Sequence, residues 1–381
     1  MKLIHLSDLH IGKRLCEYPL IEDQRYIIEE ILEIIKKETP DGVIIAGDIY
    51  DKAVPTEEAV ELFDDFLYRL SMLKTQVFII SGNHDSAERL SFASRLIDAS
   101  GIHISSVYDG QTIPYTLKDD FSEVMIYMLP FVKPADVRRF FPDTEIKSYT
   151  DALDAAVKNM NIDKSKRNVL VTHQFVTGAL RSDSEDISVG GTDNVNAEIF
   201  DDFDYVALGH IHKAQNIGCE KIRYCGTPLK YSVSEAQNDK SVTVAEFGKK
   251  GELKIRTVPL KPLRDVTALK GTYLELTDKT FYEGTSYTSD YVYITLTDEE
   301  DIVDAARRLG VIYKNLLGIA YDNARTRKNQ VIEAEERAEE KLPSELFEEL
   351  YMLQNNSEMS EKQKKYLKQL IEDVWLSLIH I

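Results

Sequence analysis

Five short apolar runs in this chain each stop on side chains that can hold a metal, and that pattern constrains the fold more than anything else in the sequence. Leu3-Ile4-His5-Leu6 leads into Asp8-Leu9-His10, and Val43-Ile44-Ile45-Ala46 into Gly47-Asp48-Ile49-Tyr50-Asp51. Val77-Phe78-Ile79-Ile80 leads into Gly82-Asn83-His84-Asp85, Val169-Leu170-Val171 into His173, and Tyr205-Val206-Ala207-Leu208 into Gly209-His210-Ile211-His212. Short, continuous apolar runs are the mark of strands buried on both faces. Between the first three lie helical patterns: Ile27, Ile28, Ile31, Leu32 and Ile35, broken by Thr39-Pro40-Asp41-Gly42, and then Ala59, Val60, Phe63, Phe66, Leu67 and Leu70 behind Pro55. Strands alternating with helices predict an α/β fold. In such folds ligands bind beyond the carboxyl ends of the strands, so one cleft should collect all five motifs.

Taken singly, each motif is weak. Asp-x-His pairs are common on surfaces, Gly-Asp is an ordinary turn, and a lone histidine is more often a satisfied core residue. Together they are not ordinary, because five of the chain's eight histidines fall at these strand ends. Mixed carboxylate, imidazole and amide oxygen donors suit manganese, iron or zinc. An aspartate shared by two metals would hold them about 3.5–4 Å apart, the spacing of two-metal phosphoryl chemistry.

The three cysteines, Cys16, Cys219 and Cys225, are too few for a disulfide framework and suit a reducing cytosol. Cys219 and Cys225 are expected to be buried or idle thiols rather than zinc ligands. The N-terminus does not resemble a signal peptide, and no apolar run is long enough to cross a bilayer. A net charge of −19 argues against a nucleic-acid partner. Bound cations and local basic residues can oppose that field; Lys13, Arg14, Lys52, Arg89 and Lys213, all close to the motifs, are the candidates for DNA contact.

After about Arg264 the pattern changes. Tyr273-Leu274-Glu275-Leu276 and Tyr291-Val292-Tyr293-Ile294 read as strands and Ile302 to Leu309 as a helix, a small α/β unit. The segment 326–342 is a charged linker. Two amphipathic stripes follow, the first through Leu346, Phe347, Leu350 and Tyr351, the second through Tyr366, Leu367, Leu370, Ile371, Val374 and Trp375. Ser360 with Gln363 makes a capping box at the start of the second. Two apolar helical faces beyond a charged linker have little of their own body to cover them, which favours docking to another protein.

The ordered set Asp-x-His, Gly-Asp-x-x-Asp, Gly-Asn-His-Asp, His and Gly-His-x-His resembles the calcineurin-like metallophosphoesterase superfamily, over about the first 235 residues. Ser7-Asp8-Leu9-His10-Ile11-Gly12, Glu22-Asp23-Gln24-Arg25, Val189 to Val195 and Tyr224-Cys225-Gly226-Thr227-Pro228-Leu229-Lys230-Tyr231-Ser232 resemble its SbcD branch. The resemblance implies a metallophosphoesterase sandwich over residues 1–260, a capping domain for DNA recognition over 264–325, and C-terminal helices over 343–381 that dock an SbcC-like ATPase. It implies one metal on Asp8, His10, Asp48 and His212 and another on Asp48, Asn83, His173 and His210, both expected to be manganese. His84, oriented by Asp51, would protonate the leaving oxygen or stabilise transition-state charge. The implied activity is a cytoplasmic DNA nuclease of repair, recombination and replication. With SbcC and ATP it would be an exonuclease on double-stranded ends, and by itself an endonuclease on single strands and hairpins. A homodimer is compatible with this layout; a membrane is not expected. Two other readings compete: a phosphoesterase acting on phosphoproteins or small esters, and a scaffold without catalysis. The segments shared with the SbcD branch speak against the first, and the complete ligand set against the second.

Overall fold

The computed structural model describes residues 1–185 and 193–324, and beyond these 326, 347, 348, 350–352, 359–367 and 370. It divides into two compact units, 1–186 with 195–267, and 187–194 with 268–381.

The first unit holds two six-stranded sheets. In the first, Lys2–Leu6, Gly42–Ala46, Gln76–Ile80 and Ile102–Ser105 run parallel, Ser241–Phe247 joins antiparallel beside Lys2–Leu6, and Leu253–Pro259 pairs antiparallel with Ser241–Phe247 at the edge. In the second, Glu123–Leu129, Arg167–His173, Tyr205–Gly209 and Cys219–Tyr224 run parallel, flanked by the antiparallel Tyr115–Lys118 and Gln215–Ile217. One apolar core joins the sheets face to face: Leu3, Ile44, Phe78 and Ile80 from the first meet Val124, Val169, Val171 and Ala207 from the second. A second core covers the opposite face of the second sheet, with Leu153 and Val157 of the helix Tyr149–Asn159 packed near Leu170 and Leu208. This unit is therefore an α/β sandwich, with every motif-bearing strand buried from both sides.

The helix Ile21–Glu38 buries Ile27, Ile28, Ile31, Leu32 and Ile35, as its spacing predicts. The next helix, Glu57–Met72, starts later than Pro55 suggests, because the Thr56 side chain accepts the Ala59 N–H and caps it. Its buried stripe is Ala59, Leu62, Phe63, Phe66 and Leu70; Val60 points outward.

In the second unit the strands Val266–Gly271, Tyr291–Leu296 and Asn315–Tyr321 form a three-stranded sheet. Tyr273 to Leu276 is helical rather than extended. Thr272 and Glu275 cap each other's backbone N–H, and that reciprocal cap outweighs the strand-like alternation. The predicted helix from Ile302 shortens to Ala305–Leu309. Ser360 and Gln363 do make the expected capping contacts. Most of the 326–342 linker lies outside the described residues, as do Leu346, Ile371, Val374 and Trp375 of the two stripes. Among the described residues no helix is long and apolar enough to cross a membrane.

Candidate metal centre

The first two motifs are fastened to each other by main chain. Asp8 N–H donates to Gly47 O, His10 N–H to Asp48 O and Ile11 N–H to Ile49 O, so the two loops continue the sheet past its strands. Asp8, His10, Asp48 and His210 all sit at positive φ (52°, 43°, 48° and 101°). L-residues held there cost on the order of 1–3 kcal/mol each and persist only where the surroundings fix them. Those surroundings are explicit: Asp8 Oδ1 accepts the His210 N–H at 2.9 Å, and Asp48 Oδ1 accepts the His84 N–H at 2.9 Å.

Two glycines let the sheets come this close. Gly209 pairs in register with His173, and a Cβ on it would stand 1.9 Å from Ala46 O and 2.6 Å from His173 Nδ1. A Cβ on Gly82 would stand 2.1 Å from Asp48 Oδ1.

The seven predicted ligands, Asp8, His10, Asp48, Asn83, His173, His210 and His212, converge here. His10 Nε2 faces His212 Nε2 at 3.1 Å and lies 3.7 Å from Asp48 Oδ2. His173 Nε2 is 3.2 Å from Asp48 Oδ2 and 3.0 Å from Asn83 Oδ1, and His210 Nδ1 is 2.9 Å from the same Asn83 oxygen. Among the described residues, three overlapping groups bring ligand atoms close enough for a metal ion: Asp8 with His10 and His212, His10 with Asp48 and His84, and Asp8 with Asp48 and His173. Cysteines take no part: Cys16 and Cys219 are exposed, and the buried Cys225 sulfur meets Ser7 Oγ.

The donor set fits a cation. His173 Nδ1 lies 2.8 Å from Ala46 O and must donate there, which leaves Nε2 aimed at two oxygen acceptors. A neutral imidazole cannot satisfy that arrangement; a proton or a metal can. Without metal the proton wins. Burial alone lowers the His173 pKa, but the adjacent Asp48 outweighs it and pushes it up to about 9. Burial would raise Asp48, yet His173, His10 and His84 hold it well below the usual carboxylate range. Burial keeps His10 and His210 well below the usual imidazole range, neutral and ready to ligate, and raises Asp8.

A sign follows for metal uptake. A ligating nitrogen must be bare, and the raised pKa means His173 carries a proton below about pH 9. Affinity is therefore expected to climb with pH, by about tenfold per unit for a single displaced proton, and to level off above pH 9. Calorimetry in two buffers of different ionisation enthalpy would count that proton. Affinity that stays flat over this range would remove His173 from the ligand set.

His84 is half-buried at the edge of the cluster, its ring 4.9 Å from that of His10. Its Nδ1 is 3.2 Å from the main-chain carbonyl of Asp51, so the Asp51 backbone helps to orient the ring. The Asp51 carboxylate receives Lys13 Nζ at 2.8 Å. Of the other predicted DNA-contacting cations, Lys52, Arg89 and Lys213 are exposed, with Arg89 donating to Ala53 O, and exposed Arg14 donates to Glu17 O.

Several supporting residues were not singled out as functional by sequence. Asp85 accepts three backbone N–H groups, from Gly82, Ile49 and Tyr50, and ties the second and third motifs together. Burial raises its pKa to about 6. Gln24 spans His10 O and Gly12 N, and Tyr231 donates to Leu9 O. Gln24 and Tyr231 lie in the segments that resemble the SbcD branch, which was the available signal.

Residues 1–214 match the calcineurin-like phosphoesterase family model, and residues 260–355 match that of the type 5 capsule protein repressor C-terminal domain. The SbcD subunit of the SbcCD nuclease of Staphylococcus epidermidis is 34% identical over 324 residues, 84% of this chain and 85% of that one. This chain belongs to the SbcD family of calcineurin-like phosphoesterases. The corresponding SbcD subunit of Staphylococcus saprophyticus is 30% identical over 380 residues, covering 98% of this chain and 99% of that one. A dimetal phosphatase from Danio rerio superposes with a TM-score of 0.40 at 11% identity, over 69% of this chain and 98% of that one, too slight a likeness to carry weight. The SbcD membership makes the chain a nuclease-type phosphoesterase, and the convergent Asp and His side chains are placed where they could hold divalent metal.

Proposed function

We propose that this chain is the nuclease subunit of an SbcCD-type complex, hydrolysing DNA phosphodiester bonds at two divalent cations, manganese foremost. The observation that carries the reading is Asp48, whose Oδ2 lies between His10 on one side and His173 on the other. Asp8, His10, Asp48 and His212 would hold one cation, and Asp48, Asn83, His173 and His210 the other. When bound, such a pair polarises the phosphodiester and lowers the pKa of water. The protein's own work is to place these donors on strand ends, to hold the strained backbone that aims them, and to present His84 beside them. With Nδ1 held by Asp51 O, the His84 ring offers Nε2 to a leaving oxygen, the geometry of a general acid.

The partner is proposed to be an SbcC-like ATPase that supplies much of the DNA contact, which reconciles DNA as substrate with the net charge of −19. The match of residues 260–355 to a C-terminal domain model and the exposed Tyr366 support a docking role for the C-terminal helices of residues 343–381. One assay tests the reading: cleavage of a DNA hairpin and of a blunt duplex with manganese, with and without the ATPase and ATP. Hairpin cutting by this chain alone, and degradation of duplex ends only with partner and ATP, are expected. Hydrolysis of a small phosphate ester with neither DNA cut, under either condition, would favour the phosphoesterase alternative instead.

A further inference from the structure

His212 differs from His173 in what holds its far nitrogen. His173 Nδ1 is fixed by a main-chain carbonyl, whereas His212 Nδ1 lies 2.6 Å from Ser184 Oγ, a side chain on a separate loop. Ser184 Oγ in turn lies 2.5 Å from Glu235 Oε1. Glu235 is fully buried, and its other oxygen receives Lys240 Nζ. Lys240 is itself 8% exposed and spends its remaining donors on His212 O at 3.0 Å and Thr227 Oγ1 at 2.6 Å. The Glu185 carboxylate accepts the His212 backbone N–H at 2.6 Å.

The polarity of this chain of hydrogen bonds is fixed by counting protons. A hydroxyl has one hydrogen, and a carboxylate paired to an ammonium can only accept. The Ser184 hydrogen therefore points to Glu235, and the serine lone pair faces His212 Nδ1, which must carry N–H. In the neutral ring His212 Nε2 is then the bare nitrogen, 3.1 Å from His10 Nε2. Partners behind a metal-bound histidine commonly set its tautomer and ring orientation.

We propose that Ser184, backed by Glu235 and Lys240, is a positioning residue that locks His212 in the Nδ1–H form for the cation of Asp8, His10 and Asp48. The proposal rests on the reading of those residues as metal ligands, and the test separates the two. Binding of Mn2+ alone to the full chain, without DNA or partner, is followed by electron paramagnetic resonance, alongside nitrogen-15 spectra of the histidines in the metal-free protein. Wild type is expected to bind two ions and to show His212 as the Nδ1–H tautomer. Ser184→Ala should weaken one ion by about 10–100-fold, the usual cost of removing such a partner, and leave the other unchanged. Ser184→Thr, which keeps the hydroxyl, should restore it.

Wild type binding no manganese would overturn the ligand reading. The proposal itself falls if wild-type His212 is the Nε2–H tautomer, which needs no variant to fold. It also falls if Ser184→Ala binds both ions normally, if it weakens both alike, or if Ser184→Thr fails to rescue.

Discussion

Replacing Asp48 with Ala is expected to abolish at least one metal site and nearly all hydrolysis, by more than the ~10²–10³-fold that loss of one preorganised electrostatic group usually costs. Two effects combine. Asp48 Oδ2 stands near both histidine clusters, 3.7 Å from His10 and 3.2 Å from His173. Its loss also takes from the fully buried His173 the carboxylate that most raises its pKa. Breaking a buried pair by removing one partner costs on the order of 3–5 kcal/mol, so the alanine variant should also melt earlier. Asp48→Asn separates the effects, because it keeps volume and an oxygen while removing the charge. Elemental analysis and turnover are read together on both variants. Two bound metals with normal turnover in either would remove Asp48 from the centre.

His84→Ala should behave differently. If His84 acts on the leaving oxygen, the variant keeps both metals and its affinity for DNA while the rate falls by roughly 10²–10⁴-fold, the range of general acid catalysis. The geometry also allows a competing role, since His84 lies close enough to His10 and Asp48 to share a metal with them. Its half-buried position and the hold of Asp51 O on Nδ1 favour the acid. Metal content decides: loss of a metal ion in step with activity would make His84 a ligand, and retained metal with a lost rate would make it the acid.

Both predictions concern residues that are legible in the amino-acid sequence. Asp48 and His84 follow apolar runs that could hardly be anything but buried strands, and a strand end has only one place to put its next side chains. Asp51 shows the limit of that reasoning. Sequence brings it three residues from Asp48, but that its main-chain carbonyl meets His84 depends on where the Asn83 loop crosses. Likewise, that the Asp51 carboxylate receives Lys13 Nζ is decided by how two loops meet.

The α/β class, the strands that end at the candidate centre and the Asp, His and Asn side chains that converge there were all legible in the sequence. Each rests on local rules: burial patterning, turn residues and the scarcity of histidine. Tertiary structure alone decided what lies behind those donors. Ser184 on one loop and Glu235 with Lys240 on another meet at His212, and Gly82 and Gly209 matter because another motif passes within contact distance. No periodicity encodes such meetings. They exist only once two sheets close on one core and bring their strand ends to the same side.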